Sequence, residues 1–215
     1  MIFIPVSSKK ISDNIFAVRS KIVNMFVFID EDGNTICIDT GLGEGCIKRQ
    51  LRKLGIECSD VSNIFLTHSD YDHAGNIGLF QNAKIHLSAD EEQMINGTTP
   101  RAFGKRYNSG INRSYELLHD GDIVQIGKIK VQGIATPGHT PGSMSYLVND
   151  SYLFVGDTAS LINNKVHTFP AFINKDTKTQ KESIKKLANL KNVKMMFTAH
   201  SGYTTDFYGS MAKWM

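Results

Sequence analysis

The sequence has few cysteines and no long apolar run. Its three cysteines are Cys37, Cys46 and Cys58, and such an odd, sparse set without metal-finger spacing excludes a disulfide framework. No stretch approaches the roughly 18 apolar residues that a transmembrane helix needs. The short apolar start, residues 1–5, lacks the basic and long apolar regions of a signal peptide. We therefore expect a cytoplasmic protein with no membrane partner.

Net charge is also small, at +3 for 215 residues. No basic stripe with interleaved aromatic residues is present, so we expect no nucleic-acid partner. The hydrophobic share of 41% and the charged share of 21% are typical of a globular protein. This length supports one domain with a sizeable core. We expect a single domain over residues 1–215 that binds a small-molecule substrate, and nothing in the sequence specifies an oligomeric state.

Strand patterns and helical patterns alternate along the chain in two similar halves. Helical spacing over residues 44–54 ends at Gly55, and Asp176 is a plausible N-cap for a helix that runs to about Leu190. Strand patterns cover residues 14–20, 21–30, 35–39, 63–67, 84–87, much of 122–148, 152–155 and 193–198. The order predicts an α/β fold with two sheets inside and helices outside.

Ionisable side chains cluster where predicted strands end. They are His68, Asp70, Asp72 and His73 within one hexapeptide, followed along the chain by His139, Asp157 and His200. So many charges in a tight loop would repel one another and lose solvation unless a cation lay among them. Imidazole and carboxylate groups are the usual ligands of hydrolytic metals. The pattern therefore predicts a metal site, whereas the isolated His86, His119 and His167 are expected to be ordinary polar residues.

These segments resemble the motifs of the metallo-β-lactamase superfamily. Residues 67–76, THSDYDHAGN, resemble its T-H-x-H-x-D-H-x-G signature, and residues 136–143, TPGHTPGS, resemble its T-P-G-H-T-x-G-S element. The Gly-Asp pair at 156–157, the Ala-His pair at 199–200 and the Ile-Asp-Thr-Gly turn at 38–41 are similar to further motifs. The resemblance spans about residues 14 to 202. It implies a four-layer αββα sandwich with the site at one edge of the sheets.

The resemblance also implies a role for each candidate ligand. The first metal would be bound by His68 and His139, the second by Asp72, His73 and His200, and both by a bridging Asp157. Two divalent ions are implied, with zinc favoured. The I-D-T-G aspartate, Asp39, is expected to be structural.

The chain departs from the family signature at Asp70, where the motif has histidine. An aspartate oxygen lies as many bonds from Cα as the Nδ1 atom that ligates at this position in the family. We therefore expect Asp70 to bind the first metal. A carboxylate is a harder ligand than imidazole, so iron or manganese becomes an alternative to zinc.

The implied activity is hydrolysis of a small ester, thioester or lactone by a hydroxide that bridges two metal ions. Asp72 is expected to orient this nucleophile as well as to bind metal. One alternative is a di-iron redox enzyme, since flavodiiron oxygen or nitric oxide reductases carry glutamate at the position of Asp70. Two divalent ions, three aspartates and a hydroxide would then sum to zero charge, but the chain has no room for a flavodoxin domain. The other alternative is a non-catalytic binding module on the same fold.

Two segments are candidates for substrate contacts. Residues 96–115 show little periodicity and are rich in Gly, Thr, Asn and Arg, so we expect them to form a lid over the cleft. The side chains expected to contact an anionic substrate are Arg101, Lys105, Arg106 and Tyr107, although a solvated loop would have the same composition. Residues 159–173, with Phe169 and Phe172, are expected to form a second wall.

Overall fold

Seven strands, all before residue 119, form one mixed sheet in the computed structural model, which describes residues 5–101 and 111–215. Strands β1 to β4 pair antiparallel, and β4 to β7 run parallel, each strand beside the next in the chain. The strands are β1 (Lys9–Lys10), β2 (Ile15–Arg19), β3 (Asn24–Ile29), β4 (Thr35–Ile38), β5 (Val61–Phe65), β6 (Lys84–Ser88) and β7 (Glu116–Leu118).

A six-stranded sheet from the second half faces the first. The strands of this half are β8 (Ile123–Ile126), β9 (Ile129–Ala135), β10 (Met144–Val148), β11 (Tyr152–Phe154), β12 (Ser160–Ile162), β13 (Lys165–His167), β14 (Met195–Thr198) and β15 (Gly202–Thr204). The sheet runs in the order β15-β14-β11-β10-β9-β8, and β12 pairs with β13 as a separate two-stranded sheet. The pair β11 and β14 is parallel and its other pairs are antiparallel.

The described part of the chain forms five α-helices beside the sheets. They are α1 (Glu44–Lys53), α2 (Tyr71–Ala74), α3 (Glu92–Ile95), α4 (Thr177–Ala188) and α5 (Phe207–Met211). Helix α4 begins as its sequence predicts, because the Asp176 side chain accepts hydrogen bonds from the backbone N–H groups of Lys178 and Thr179. Among the described residues, no helix is long and apolar enough to cross a membrane.

Three apolar layers hold these elements together. Between the sheets, the rings of Phe26 and Phe197 meet edge to face at 5.2 Å, and Phe154 stacks on Phe197 at 4.6 Å. A second layer includes Ile47 and Leu51 of α1, and the third packs α4 and α5 on the other sheet. Each fully buried large apolar side chain contributes roughly 1.5–3 kcal/mol to stability. The chain is therefore an α/β sandwich of the αββα type.

Some local expectations differ from the structure. The tight loop expected for the hexapeptide 68–73 is in part helix α2, and a 3₁₀ turn follows at Ile77–Leu79. The wall expected over residues 159–173 contains the β12–β13 hairpin. These elements have only three or four residues, too few for periodicity to show. Of the expected lid, residues 102–110 lie outside the described residues, and with them Lys105, Arg106 and Tyr107.

Candidate metal centre

The ionisable residues singled out in the sequence meet at one edge of the two sheets. His68 and Asp70 follow β5, while Asp72 and His73 lie in helix α2 that begins directly after them. The remaining three come from the other sheet, where they follow β9, β11 and β14 respectively: His139, Asp157 and His200. Strand ends hold such side chains on a rigid scaffold. The structure thus brings all seven predicted ligands together.

One group of potential ligands consists of His68, Asp70 and His139. The Oδ2 atom of Asp70 lies 3.5 Å from Nε2 of His68 and 3.3 Å from Nε2 of His139. One ligand atom from each residue lies within 4.8 Å of the others, a spacing that could hold a metal ion. The Asp70 carboxylate therefore lies between two imidazoles.

The second group consists of Asp72, His73 and His200. The Oδ2 atom of Asp72 lies 3.7 Å from Nε2 of His73 and 3.4 Å from Nε2 of His200. One ligand atom from each of these residues also lies within 4.8 Å of the others, so this group could hold a second ion. The Asp72 side chain is 24% exposed, in contrast to the two buried imidazoles, so it borders the open side of the centre.

Asp157 lies between the two groups. Its Oδ2 atom is 3.4 Å from Nε2 of His139, in the first group. Its Oδ1 atom is 3.4 Å from Nε2 of His73 and 3.3 Å from Nε2 of His200, in the second group. Each carboxylate oxygen therefore faces a different group.

Two histidines are oriented by groups that can only accept hydrogen bonds. Nδ1 of His73 lies 2.8 Å from Oδ2 of Asp39, and Nδ1 of His200 lies 2.6 Å from the carbonyl oxygen of Ile22. A carboxylate and a carbonyl require a proton on Nδ1. The Nε2 lone pair is then available to a metal ion, as is usual for ligating histidines.

The other two histidines have side-chain partners at Nδ1. Nδ1 of His68 lies 3.1 Å from the Thr67 hydroxyl, whose own hydrogen-bond partners include the carboxylate of Asp39. Nδ1 of His139 lies 3.2 Å from Oδ1 of Asn174. Asp39 therefore helps to orient two imidazoles, that of His73 directly and that of His68 through Thr67. This is the structural role that Asp39 has in the described residues.

The carboxylates and imidazoles of this centre shift one another's proton affinities. Burial alone would raise the pKa of Asp157, but the nearby His200, His73 and His139 hold it well below the usual value. Burial would likewise lower the pKa of His73, yet Asp157, Asp39 and Asp72 raise it well above normal. The low pKa of Asp157 keeps its carboxylate ionised, and its negative charge favours a cation at the centre.

The chemistry of the donor set fits a metal ion in a further respect. Nε2 of His68, Nε2 of His73 and Oδ1 of Asp157 are buried with no hydrogen-bond partner in the described part of the chain. Buried polar atoms are rarely left unpaired, and an exception calls for an explanation such as an ion. All three atoms point into the centre, where coordination would satisfy them.

The predicted substrate contacts differ in their placement. Arg101 borders the first group, with its side chain 12% exposed and its Nη2 atom 2.7 Å from the carbonyl oxygen of Ile173. Phe169 is buried, and its ring lies 5.6 Å from that of His139 and 5.8 Å from that of His200. Phe172 is 88% exposed. The wall expected from residues 159–173 therefore contacts the centre through Phe169.

Sequence reasoning missed two residues that support the ligands. Asn174 accepts from His139 and donates to Gln180 and to the carbonyl of Phe169. Glu91 is fully buried and hydrogen-bonded to the loops on both sides of the first group. An acidic residue shortly after a buried strand was the only available signal for Glu91, and Asn174 gave none.

Comparison of the sequence with known proteins gives matches that agree with one another. The family model described as the metallo-beta-lactamase superfamily matches residues 20–200. A probable metallo-hydrolase of Methanocaldococcus jannaschii is 32% identical over 169 residues, which cover 78% of this chain and 71% of that protein. A probable polyketide biosynthesis zinc-dependent hydrolase of Bacillus velezensis is 31% identical over 128 residues, 58% of this chain. That match covers only 49% of the Bacillus protein.

A solved structure agrees in fold. The metallo-beta-lactamase family protein of Thermus thermophilus superposes with a TM-score of 0.73 at 21% identity, over 95% of this chain and 79% of that one. At this level of identity the similarity establishes the architecture, and it leaves the chemistry to the residues of the site.

Proposed function

Because the chain belongs to the metallo-β-lactamase superfamily, whose matching relatives are named metallo-hydrolases, we propose that it is a hydrolase with two metal ions. In this proposal His68, Asp70 and His139 hold the first ion, and the second group holds the other. Asp157 binds both. The bound ions would activate water and polarise the scissile carbonyl.

The observation that carries this proposal is the position of Asp157. Its two oxygens face different groups, at nearly equal distances from their imidazole nitrogens. A carboxylate serving one ion would need only one of these contacts. A bridging carboxylate fixes the separation of two ions as well as binding them, so its geometry favours a binuclear site.

The protein's own residues prepare the centre for this chemistry. Asp39 and the Ile22 carbonyl keep protons on Nδ1 of their histidines, which directs the Nε2 lone pairs inward. The buried Phe169 ring packs beside two imidazoles, those of His139 and His200. The half-buried Asp72 is the group best placed to orient an incoming nucleophile, because its carboxylate borders the open side.

Zinc is the favoured metal in this proposal. The centre offers four imidazoles, and the relative from Bacillus is named as zinc-dependent. Asp70 adds a hard oxygen ligand, which keeps iron and manganese as alternatives. The hydrolase is preferred over a di-iron redox enzyme because the matching proteins are named hydrolases.

We propose a small ester, thioester or lactone as the substrate, each of which presents an electrophilic carbonyl to the centre. Arg101 is the candidate substrate contact among the described residues, since its guanidinium borders the first group. Lys105, Arg106 and Tyr107 remain proposed contacts on the basis of their sequence positions. Arg101 favours substrates that carry a carboxylate or phosphate near the scissile bond.

The test is a hydrolysis panel with purified protein of known metal content. Neutral and anionic esters, thioesters and lactones are compared before and after removal of metal with a chelator, and again after zinc is restored. The proposal predicts hydrolysis of at least one class, its loss with the metal and its return with zinc. Hydrolysis that persists in the metal-free protein contradicts it.

A further inference from the structure

The Glu91 carboxylate is buried between two loops that carry metal-ligand candidates. Glu91 ends the 3₁₀ turn Ala89–Glu91, directly after β6, and it is 0% exposed. A carboxylate removed from water is costly unless donors surround it. Four donors do so here, and all of them come from the two loops.

Each oxygen of this carboxylate accepts hydrogen bonds from one of the two loops. Oε1 accepts from the backbone N–H of Ser69 at 2.8 Å and from its hydroxyl at 2.7 Å. Ser69 lies between His68 and Asp70 in the chain. Oε2 accepts from the hydroxyl of Thr140 at 2.7 Å and from the backbone N–H of Gly142 at 3.2 Å. Thr140 directly follows His139. Glu91 therefore links the two loops that carry the three ligand candidates of the first group, through residues next to those candidates in the chain.

The second loop is also pressed against the backbone of Glu91. A Cβ atom at Gly142 would lie 2.1 Å from the backbone nitrogen of Glu91, far inside van der Waals contact. Only glycine allows this approach. The distance of the second loop from Glu91 is therefore fixed by packing as well as by hydrogen bonds.

We propose that Glu91 is a positioning residue for the first metal: it holds the His68–Asp70 loop and the His139 loop at the separation that ion requires. This inference rests on the proposed two-metal site. The second group has other supports, since Asp39 orients His73 and the Ile22 carbonyl orients His200. Loss of Glu91 should therefore weaken binding of the first ion more than binding of the second.

Glutamine at position 91 cannot replace the carboxylate, for a geometric reason. Each carboxylate oxygen accepts one backbone N–H, from Ser69 or from Gly142. A hydroxyl can rotate to accept a hydrogen bond, but a backbone N–H can only donate. Whichever way the amide is turned, its NH₂ group faces one backbone N–H, so Glu91→Gln must lose the hydrogen bond from that N–H and hold one loop less firmly.

The test is a zinc titration of Glu91→Gln by calorimetry with chelator competition. Asp70→Ala and Asp72→Ala assign the two binding steps of the wild-type protein to the first and second ion. The inference predicts that Glu91→Gln weakens the first-ion step about tenfold or more and leaves the second within about twofold, by analogy with other groups that orient ligands. Equal weakening of both steps, or no change in either, overturns it.

Tyr146→Phe is the matched control. Its buried hydroxyl donates to the carbonyl of Leu66 at 2.7 Å, near the same loop, without joining the two loops. It should lower stability and leave both zinc steps unchanged. If Glu91→Gln does not fold, Thr140→Val and Ser69→Ala each remove one hydroxyl donor and should weaken the first ion selectively by a smaller factor. A wild-type protein that binds fewer than two zinc ions contradicts the proposed function instead.

Discussion

Arg101 donates from Nε to both carboxylate oxygens of Asp70, at 3.0 and 2.8 Å. Its Nη2 atom lies 3.0 Å from Nε2 of His139. The residue that departs from the family motif is thus paired with a cation that lies 31 positions further along the chain. The sum of zero charge for two divalent ions, three aspartates and a hydroxide does not include this guanidinium. With Arg101 included, the centre carries one additional positive charge.

This pairing leads to a prediction for Arg101→Gln. Removal of a positive charge beside the first group should strengthen binding of the first ion, on the order of tenfold, because like charges repel at short range. The same change should raise KM for an anionic substrate and leave KM for a neutral analogue unchanged. Zinc titration and steady-state kinetics measure the two effects.

Lys175→Gln is the control for this prediction. Lys175 is an exposed cation whose Nζ donates to the carbonyl of Pro100, next to Arg101 in the chain. Its loss should change neither the zinc affinity nor KM for the anionic substrate by more than about twofold, since exposed charges are screened. If both variants change zinc affinity and KM equally, the effect comes from the net charge of the protein and not from the position of Arg101.

Asp157→Asn should be the most damaging change to a single ligand candidate. The amide keeps the size of the side chain, but it removes the negative charge and one of the two acceptors that face the metal groups. Metal content should fall from two ions to one or fewer, and kcat should fall about 100-fold or more. Elemental analysis and the ester panel measure this, and a variant with two ions and full activity would remove Asp157 from the site.

Asp39→Asn should weaken the second ion more than the first, because Asp39 contacts His73 directly and reaches His68 only through the Thr67 hydroxyl. The Asp39 carboxylate requires a proton on Nδ1 of His73, whereas an amide can turn its NH₂ group towards that nitrogen and move the proton to Nε2. Loss of such an orienting partner costs about 10- to 100-fold in metal affinity. A smaller loss is expected at the first-ion step, where Asp39 acts through Thr67, and equal loss from both steps would contradict the greater dependence of the second ion on Asp39.

Asp70→His should restore the family motif and change which metal is retained. Imidazole is softer than carboxylate, so the variant should keep two ions and retain more zinc relative to iron or manganese. Competition between equal concentrations of zinc and manganese, followed by elemental analysis, measures the preference. An unchanged ratio of bound zinc to bound manganese would mean that Asp70 does not influence which metal is bound. The variant Asp70→Ala, which removes the ligand altogether, should lose the first ion.

The clustering of the ligand candidates could be predicted from the sequence because they lie in short motifs at strand ends. His68, Asp70, Asp72 and His73 occupy six consecutive positions, and the strand before them is readable from its apolar run. The long helices α1 and α4 are also predicted, the latter through its Asp176 cap. Local patterns of this kind carry their own structural signal.

The supporting contacts are not readable in the same way because they join distant parts of the chain. The carbonyl of Ile22 reaches His200 across 178 positions, and Glu91 reaches Thr140 across 49. A backbone carbonyl has no sequence signature, and one buried glutamate resembles any exposed one in composition. Such pairings depend on how the two sheets face each other, which only the folded arrangement shows.

The most direct test of the two-metal account is anomalous diffraction from crystals of the zinc-loaded protein. The account predicts two peaks, about 3.5–4 Å apart, one among His68, Asp70 and His139 and the other among Asp72, His73 and His200. One oxygen of Asp157 should point to each peak. A single peak at saturating zinc, or two peaks with Asp157 directed away from one of them, would contradict the account.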